Sequence, residues 1–372
     1  MIAQGSPLPQ PGTSPPAPQI HDQGGNLAVR LLYHGPLWFG STSLQRYEAF
    51  AALHGVEAIA SDDGLRVGKL VNPIHRLRWK LRWPADVTGS NEILFEAVKR
   101  HNPDVVVVDS SKVLRRSTLR RIREVCHSRL VYYTPDDILG KHNLSRTLER
   151  SFADWDVFFT TKTFNVEELR NAGVRRPLLV GKAFDPLLHA PMSKEDVGPE
   201  FEAFDCVFIG MYEAARCKSI NALAAAGISV VVYGSGEGGW EPRLLHSSVE
   251  LRPSVYAREY RRCWHVGKLA LSFLRKLNRD QITQRTMEVA AMGRPMITEK
   301  TSEHDAHFED GREYLGFTDD GQLVALVRKW LERDSNRHQL GEAGRQRCLT
   351  SGYSTLARAR WMVERIMEVD PR

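Results

Sequence analysis

Short runs of β-branched and aliphatic residues recur along the chain at Ala28–Tyr33, Val105–Val108, Leu130–Tyr133, Val157–Thr160 and Leu178–Val180. Between them lie longer charged stretches with apolar residues at helical spacing, as in Ser43–Leu53, Ile93–Lys99 and Val166–Ala172. A second series follows, with strands expected at Cys206–Ile209, Val230–Tyr233, Leu269–Leu271 and Met296–Thr298. Its helices are expected at Ser219–Ala226, Val255–Trp264, Thr283–Met292 and Leu323–Leu331. Near-continuous apolar strands alternating with amphipathic helices predict parallel sheets covered on both faces. Two such series predict an α/β protein of two Rossmann-like, doubly wound domains facing across a cleft. Pro186, Pro191 and Pro199, set among charges, mark the break between them, because proline interrupts regular pairing. Leu356, Trp361, Met362, Val363 and Ile366 make Ser354–Met367 a closing helix. The expected organisation is a tail over 1–26, a first domain over 27–190, a second over 191–353 and a C-terminal helix over 354–372.

Composition changes this picture only at the start. Six prolines and four glycines fall within Met1–Asn26, too little apolar surface to offset the entropy of ordering, so a disordered tail is expected. It lacks the charge and apolar core of a secretory signal, and no stretch has the ~18 consecutive apolar residues of a membrane span. Five cysteines, odd in number and far apart, argue against a disulfide framework or structural zinc. The expectation is a cytoplasmic protein, at most peripheral to the inner membrane face. A net charge of +6 permits an anionic partner without identifying one.

Candidate chemistry sits where expected strands end. His34 to Gly40 forms a small-residue loop before Ser41 and Thr42 open a helix; it suits either a ligand or a plain tight turn. Asp136 and Asp137 follow a strand directly, where a carboxylate can deprotonate an acceptor hydroxyl or simply cap a turn. Gly210, Tyr212 and Arg216 follow the first strand of the second series and suit a phosphate. Gly234 opens another glycine-rich turn, Tyr233–Trp240, which glycine also favours for purely steric reasons. The densest set runs from Phe273 to Thr298. Arg275, Asn278 and Asp280 occupy a polar loop, and Thr283, Arg285 and Glu288 start the next helix. Carboxylates accept paired hydrogen bonds from a ribose diol, and an arginine neutralises a diphosphate. The competing reading is a solvated helix face.

Two basic stretches complete the inventory. Arg66–Arg82 and Lys112–Arg123 each hold six Lys or Arg and no acid, and the first interleaves Trp79 and Trp83. They suit an anionic membrane surface, a nucleic-acid strand, or a solvated face.

Residues 205–365 resemble the C-terminal domain of CgeB-type (spore maturation protein B-like) glycosyltransferases of the GT-B class. The matching stretches are Val207–Arg216, Tyr233-Gly234, Asn278–Gln281, Thr283–Glu288, Ala291–Pro295, Thr301–His304, Phe308–Glu313 and Gly352-Tyr353. A looser match runs through Tyr133–Asp137, Phe159–Lys162, Asn165–Gly173 and Phe184–Pro186. The sequence departs from the family at Met287, at Met292 and at Asp280, where a glutamate is usual. The resemblance implies that the second domain holds a nucleotide-activated sugar, a UDP- or dTDP-sugar used as substrate, with no cofactor and no metal. It puts Glu288 on the ribose, Arg216 and Arg285 on the diphosphate, and Glu303 and His304 near the sugar. Gly210, Tyr212, Gly234, Arg275, Asn278, Asp280 and Thr283 complete the donor set. The first domain receives a glycan, lipid-linked, protein or modified-DNA acceptor, with Asp136 and Asp137 as catalytic carboxylates and Arg66–Arg82 as a possible contact with an anionic surface. Two rivals stand beside this: a GT-B sugar-nucleotide epimerase, and a nucleic-acid-binding protein using the basic stretches.

Overall fold

The computed structural model describes residues 29–64 and 72–372. The expected tail over 1–26, and Arg66 and Lys69 of the first basic stretch, lie outside the described residues. The chain divides into two compact units. The first comprises Gly25–Pro186, Arg275–Asp280 and Tyr353–Arg372, and the second comprises Leu187–Leu274 and Gln281–Gly352.

The first unit is built on β1 (Val29–Gly35), β2 (Val56–Asp62), β3 (Val105–Asp109), β4 (Arg129–Thr134), β5 (Val157–Thr160) and β6 (Pro177–Leu179), all parallel, in the order β2-β1-β3-β4-β5-β6. Side chains alternate across the pleat. Leu31, Tyr33, Val105, Val107, Val131, Tyr133, Val157 and Phe159 therefore fill one core, with Phe50 of helix Thr42–Ala51 and Ala359, Met362 and Ile366 of helix Thr355–Met367. Leu32, Val106, Val108, Leu130, Tyr132 and Phe158 fill the other, against helices Ser90–His101 and Arg116–Val125. The closing helix thus packs on the first unit, its Trp361 lying 6.0 Å from Phe159.

The second unit carries β7 (Phe204–Ile209), β8 (Val230–Ser235), β9 (Val249–Pro253), β10 (Gly267–Leu271), β11 (Met296–Glu299) and β12 (Leu315–Phe317) in the parallel order β12-β11-β10-β7-β8-β9. Its core holds Cys206, Phe208, Val230, Val232, Leu269, Leu271 and Ile297 beneath helices Ala214–Ala225 and Asp320–Leu331. In each sheet the strand order reverses once, between β1 and β3 and between β7 and β10. Doubly wound sheets bind ligands outside the carboxyl ends of the strands at such points.

Three strands and one long helix escape the apolar pattern. β2, β9 and β12 are sheet edges; β2 and β9 are only partly buried, and β12 has three residues with Gly316 at its centre. Helix Asp334–Thr350 buries Arg337, Leu340, Gly341, Gly344 and Cys348, a regular stripe made mostly of residues that do not read as apolar. Its glycines are steric necessities. A Cβ on Gly341 would lie 2.2 Å from the Gly293 carbonyl oxygen, and one on Gly344 2.7 Å from that of Glu313.

Candidate active site

In the second unit, β7 ends at Ile209 and the Gly210 N–H donates to the Tyr233 carbonyl at 3.0 Å. A Cβ on Gly210 would meet Phe208 Cζ at 3.0 Å and Arg285 Nη1 at 3.4 Å, so the Arg285 guanidinium comes up to the end of this strand. Arg285 Nε is buried and has no hydrogen-bond partner among the described residues. The side chain stands in the first turn of helix Gln284–Ala291, whose cap is Thr283, accepting from the Thr286 N–H at 3.2 Å. Glu288 follows three residues later, on the same helix face. It is buried, accepts from the Tyr260 hydroxyl at 2.5 Å, and lies 3.8 Å from His189 Nε2. Burial and the Glu288 charge push the Tyr260 phenol well up, so it stays a donor. One face of one helix thus offers an arginine with an open donor and a carboxylate fixed in direction.

The other donor candidates of this unit are engaged by protein. Arg216, on helix Ala214–Ala225, is buried and donates to the carbonyls of Met211 at 2.9 Å and of Phe273 and Leu274 at 3.4 Å. It therefore ties the loop after β7 to the loop after β10, across the strand-order reversal. The turn that Gly234 opens closes on its own tryptophan: Trp240 Nε1 donates to the Gly210 carbonyl at 2.8 Å. A Cβ on Gly234 would sit 2.5 Å from that carbonyl oxygen. The Tyr212 N–H donates to Gly238 at 2.7 Å and its ring stands edge-on to Trp240 at 5.2 Å. His304 is fully buried between the Thr286 hydroxyl (3.2 Å) and the Thr301 hydroxyl (2.9 Å), and burial lowers its pKa to about 4, so it is a neutral packing group. Glu303 precedes it, half-buried in helix Ser302–His307.

Asn278 and Asp280 belong with the first unit. Asn278 Oδ1 accepts from the Asp137 N–H at 2.9 Å and its amide donates to Asp280 at 3.0 Å. Asp280 pairs with Lys162, and both are buried. Arg279 forks onto both oxygens of Asp137 (2.6 and 2.8 Å) and onto Glu168 (2.9 Å). Asp280 belongs to the first unit and Glu288 to the second. Arg275, half-buried, starts this segment, its carbonyl accepting from the Asn278 and Asp280 N–H groups.

The two consecutive aspartates after β4 have unlike surroundings. Asp137 is buried and accepts from Arg279 and, at 3.0 Å, from Asn165. Burial pushes its carboxyl up, but those bonds outweigh it and hold the group below the ordinary carboxylate range. Asp136 is half-buried, and its carboxylate has no hydrogen bond among the described residues. Of the pair, only Asp136 has a carboxylate open to take a proton.

Cations that the sequence does not assign to the site line the same strand ends. Lys162 follows β5, Lys182 follows β6 and Lys112 follows β3; the rule that finds Asp136, a polar residue just past a parallel strand, also finds these. Arg46 forks onto Asp109, at the end of β3, at 2.9 and 2.6 Å.

Half of the second basic stretch is paired, which its own sequence conceals. Within helix Arg116–Val125, Arg116 meets Asp154, Arg121 meets Glu92 and lies over Phe95, and Arg123 meets the buried Asp156. In the first stretch, Arg82 donates to the Leu144 carbonyl and to Glu149. Helix Pro73–Lys80, by contrast, buries no residue. Among the described residues, one cluster has metal-ligand spacing, Glu202, Asp334 and His338, but Glu202 already accepts from Arg294 and Asp334 from Arg337.

Residues 216–364 match a family model described as glycosyl transferase-like, so the chain carries a glycosyltransferase-like enzyme domain. No curated protein matches the sequence. Among solved structures, sucrose-phosphate synthase from Thermosynechococcus elongatus is 12% identical with a TM-score of 0.63, over 91% of this chain and 98% of that one. HepE from Anabaena, in complex with UDP and glucose, is 12% identical with a TM-score of 0.62, over 91% and 100%. A Listeria monocytogenes protein assigned as a UDP-N-acetylglucosamine 2-epimerase is 12% identical with a TM-score of 0.57, over 91% and 96%. The fold is therefore the two-domain α/β fold of GT-B enzymes.

Proposed function

We propose that this protein transfers a sugar from a nucleoside-diphosphate sugar to an acceptor hydroxyl, with the donor bound by the second unit and the acceptor by the first. The observation that carries this reading is the Arg285–Glu288 face beside Gly210. Arg285 has a buried donor without a partner, Gly210 removes the side chain that would block approach, and Glu288 is oriented by Tyr260. Arg285 and the amino end of its helix suit the diphosphate, and Glu288 the ribose diol. HepE, with the same fold, binds UDP and glucose, which supports a UDP-sugar as the first donor to try; a dTDP-sugar fits the same groups.

In the reaction the bond from C1 to the diphosphate oxygen breaks and the acceptor oxygen forms a new bond to C1. The acceptor proton passes to a base, and the nucleoside diphosphate leaves. In an inverting course Asp136 takes the proton, while Asp137 holds the loop through Arg279. In a retaining course the departing diphosphate oxygen takes it. Arg285 and the amino end of its helix neutralise the leaving group, so the reaction is proposed to run without a metal. Peripheral contact with an anionic bilayer is proposed for helix Pro73–Lys80, where Ile74 and Leu77 are 66% and 57% exposed and form a ridge with Leu81 between Arg78 and Lys80.

The test is turnover of a panel of UDP- and dTDP-sugars, with and without excess chelator. Release of nucleoside diphosphate that requires an acceptor and persists in chelator is expected. Conversion of the sugar nucleotide to an epimer without acceptor would give the epimerase reading instead. Turnover that vanishes in chelator and returns with manganese would refute metal independence.

A further inference from the structure

Four neighbouring strands of the first unit each deliver a charged side chain just past their carboxyl ends: Lys112 after β3, Asp136 after β4, Lys162 after β5 and Lys182 after β6. The loops are laced together at one point. The Pro135 carbonyl accepts from Lys182 Nζ and from the Thr161 hydroxyl, both at 2.9 Å. Lys162 is spent, since its ammonium pairs with Asp280. Lys182 is not. It is 6% exposed, yet among the described residues its three ammonium protons have a single neutral acceptor, the Pro135 carbonyl. Among the described residues Lys112 bonds the Asn143 amide oxygen alone, at 2.8 Å, with Trp79 against its other side.

A buried ammonium without a carboxylate is costly. A purely structural design would have placed an acid there, as it does at Lys162, Arg46 and Arg279. The only open carboxylate in the row is Asp136, so this end of the sheet carries more positive charge than it neutralises. The same surplus is felt by nearby groups. Burial, then the Lys162 charge, lowers the Lys182 pKa to about 7, and Asp280 and Asp136 counter this only in part, with Arg46 adding to it. Burial and Arg275 lower Lys112, and burial, Arg275 and Lys112 lower His142.

We propose that Lys182 forms an acceptor subsite for an oxyanion, a phosphate or carboxylate carried on a small acceptor beside the hydroxyl that Asp136 addresses. The subsite rests on the sugar-transfer reading for its role but not for its existence. The burial of Lys182 suits a small molecule entering the row of strand ends and not a flat lipid surface. Asp136 within the row adds selectivity, because the acceptor must hold its oxyanion toward Lys182 while its hydroxyl faces the carboxylate.

The experiment uses sulfate as probe, since its charge is constant from pH 6 to 8. Its affinity is measured calorimetrically on the full chain, alone and with saturating UDP to fill the donor face. Wild type is expected to bind sulfate about tenfold more weakly at pH 8 than at pH 6, as a lysine of pKa about 7 loses its proton. Lys182→Met is expected to weaken sulfate at least tenfold at pH 6, flatten the pH profile and leave UDP affinity unchanged. Methionine conserves volume and removes a desolvated charge, so the Lys182 variant should fold. A merely structural lysine predicts the reverse: lower stability with sulfate affinity unmoved. Sulfate binding that ignores Lys182, or that is missing in wild type, overturns the subsite while intact UDP binding leaves the sugar-transfer reading standing. Failure of UDP to bind while sulfate still follows Lys182 has the opposite meaning. Capture of phosphatidylglycerol vesicles that depends on Lys182 would also overturn the proposal, by assigning the lysine to a lipid.

Discussion

At the reversal between β1 and β3, Asp109 accepts from the Tyr33 hydroxyl at 2.5 Å and from two nitrogens of Arg46. A Cβ on Gly35 would lie 3.0 Å from the Asp109 side chain, so protein alone closes the space. At the reversal between β7 and β10, Arg216 ties main chain to main chain, and Arg285 reaches Gly210 with a buried nitrogen unpaired. Topology therefore marks two equivalent positions, and hydrogen-bond accounting separates them. A closed charge pair is scaffold, and an open donor is a site. Within the first unit the open cation lies not at the reversal but at β4–β6, where Lys162 is closed and Lys182 open.

The comparison breaks most visibly through its closed pairs. Arg46→Met leaves Asp109 buried without its cationic partner, with the Tyr33 and Ser110 hydroxyls alone, and is expected to cost about 3–5 kcal/mol in urea unfolding. Arg46→Met with Asp109→Asn should recover much of that loss; equal instability of single and double variants would mean the pair is not what matters there. Next in size is Glu288→Gln at the open face. It keeps volume but removes the charge, and nucleotide affinity should fall by about 1.5–3 kcal/mol in calorimetry while the unfolding midpoint barely moves.

Acid sharpens the contrast in another way. His34, held between Ser61 and Ser90, and His304 and His265 all have pKa values lowered by burial from 6.5 to about 4. The unfolded chain binds protons that the native state refuses, so stability is full above about pH 6.5 and falls as pH drops toward 4. Each histidine should cost about 2 kcal/mol by pH 5 relative to pH 7. His304→Gln should reduce that slope; an unchanged slope would show that His304 protonates in the folded state. The smallest effect belongs to the surface. Replacing Arg76, Arg78 and Lys80 with glutamine should change stability by less than about 0.5 kcal/mol and leave nucleotide affinity alone, while reducing capture by phosphatidylglycerol vesicles. Unchanged capture would reduce that ridge to a solvated face.

Both sheets were legible wherever strands are central, because residues such as Val105–Val108 and Val230–Tyr233 are buried on both faces and carry no polar alternation. The edge strands β2, β9 and β12 and the Gly341–Gly344 helix were not, since partial burial and close backbone contact leave no apolar signature. Of the site, Arg285 and Glu288 were readable as polar residues opening a helix after a buried strand. What sequence order hid was partnership. Asn278 and Asp280 read as neighbours of Glu288, yet their partners are Asp137 and Lys162, more than a hundred positions away. The run Lys112–Arg123 reads as a bare cationic face because Glu92, Asp154 and Asp156 lie outside it.

The most direct test of the central claim is a calorimetric titration of UDP and dTDP into wild type and Arg285→Ala, with unfolding followed in parallel. If the open arginine beside Gly210 is the diphosphate contact, at least one nucleotide binds wild type and loses about ten- to a hundredfold in affinity in the variant. The unfolding midpoint should stay where it was. Equal affinity in the two proteins would contradict the account.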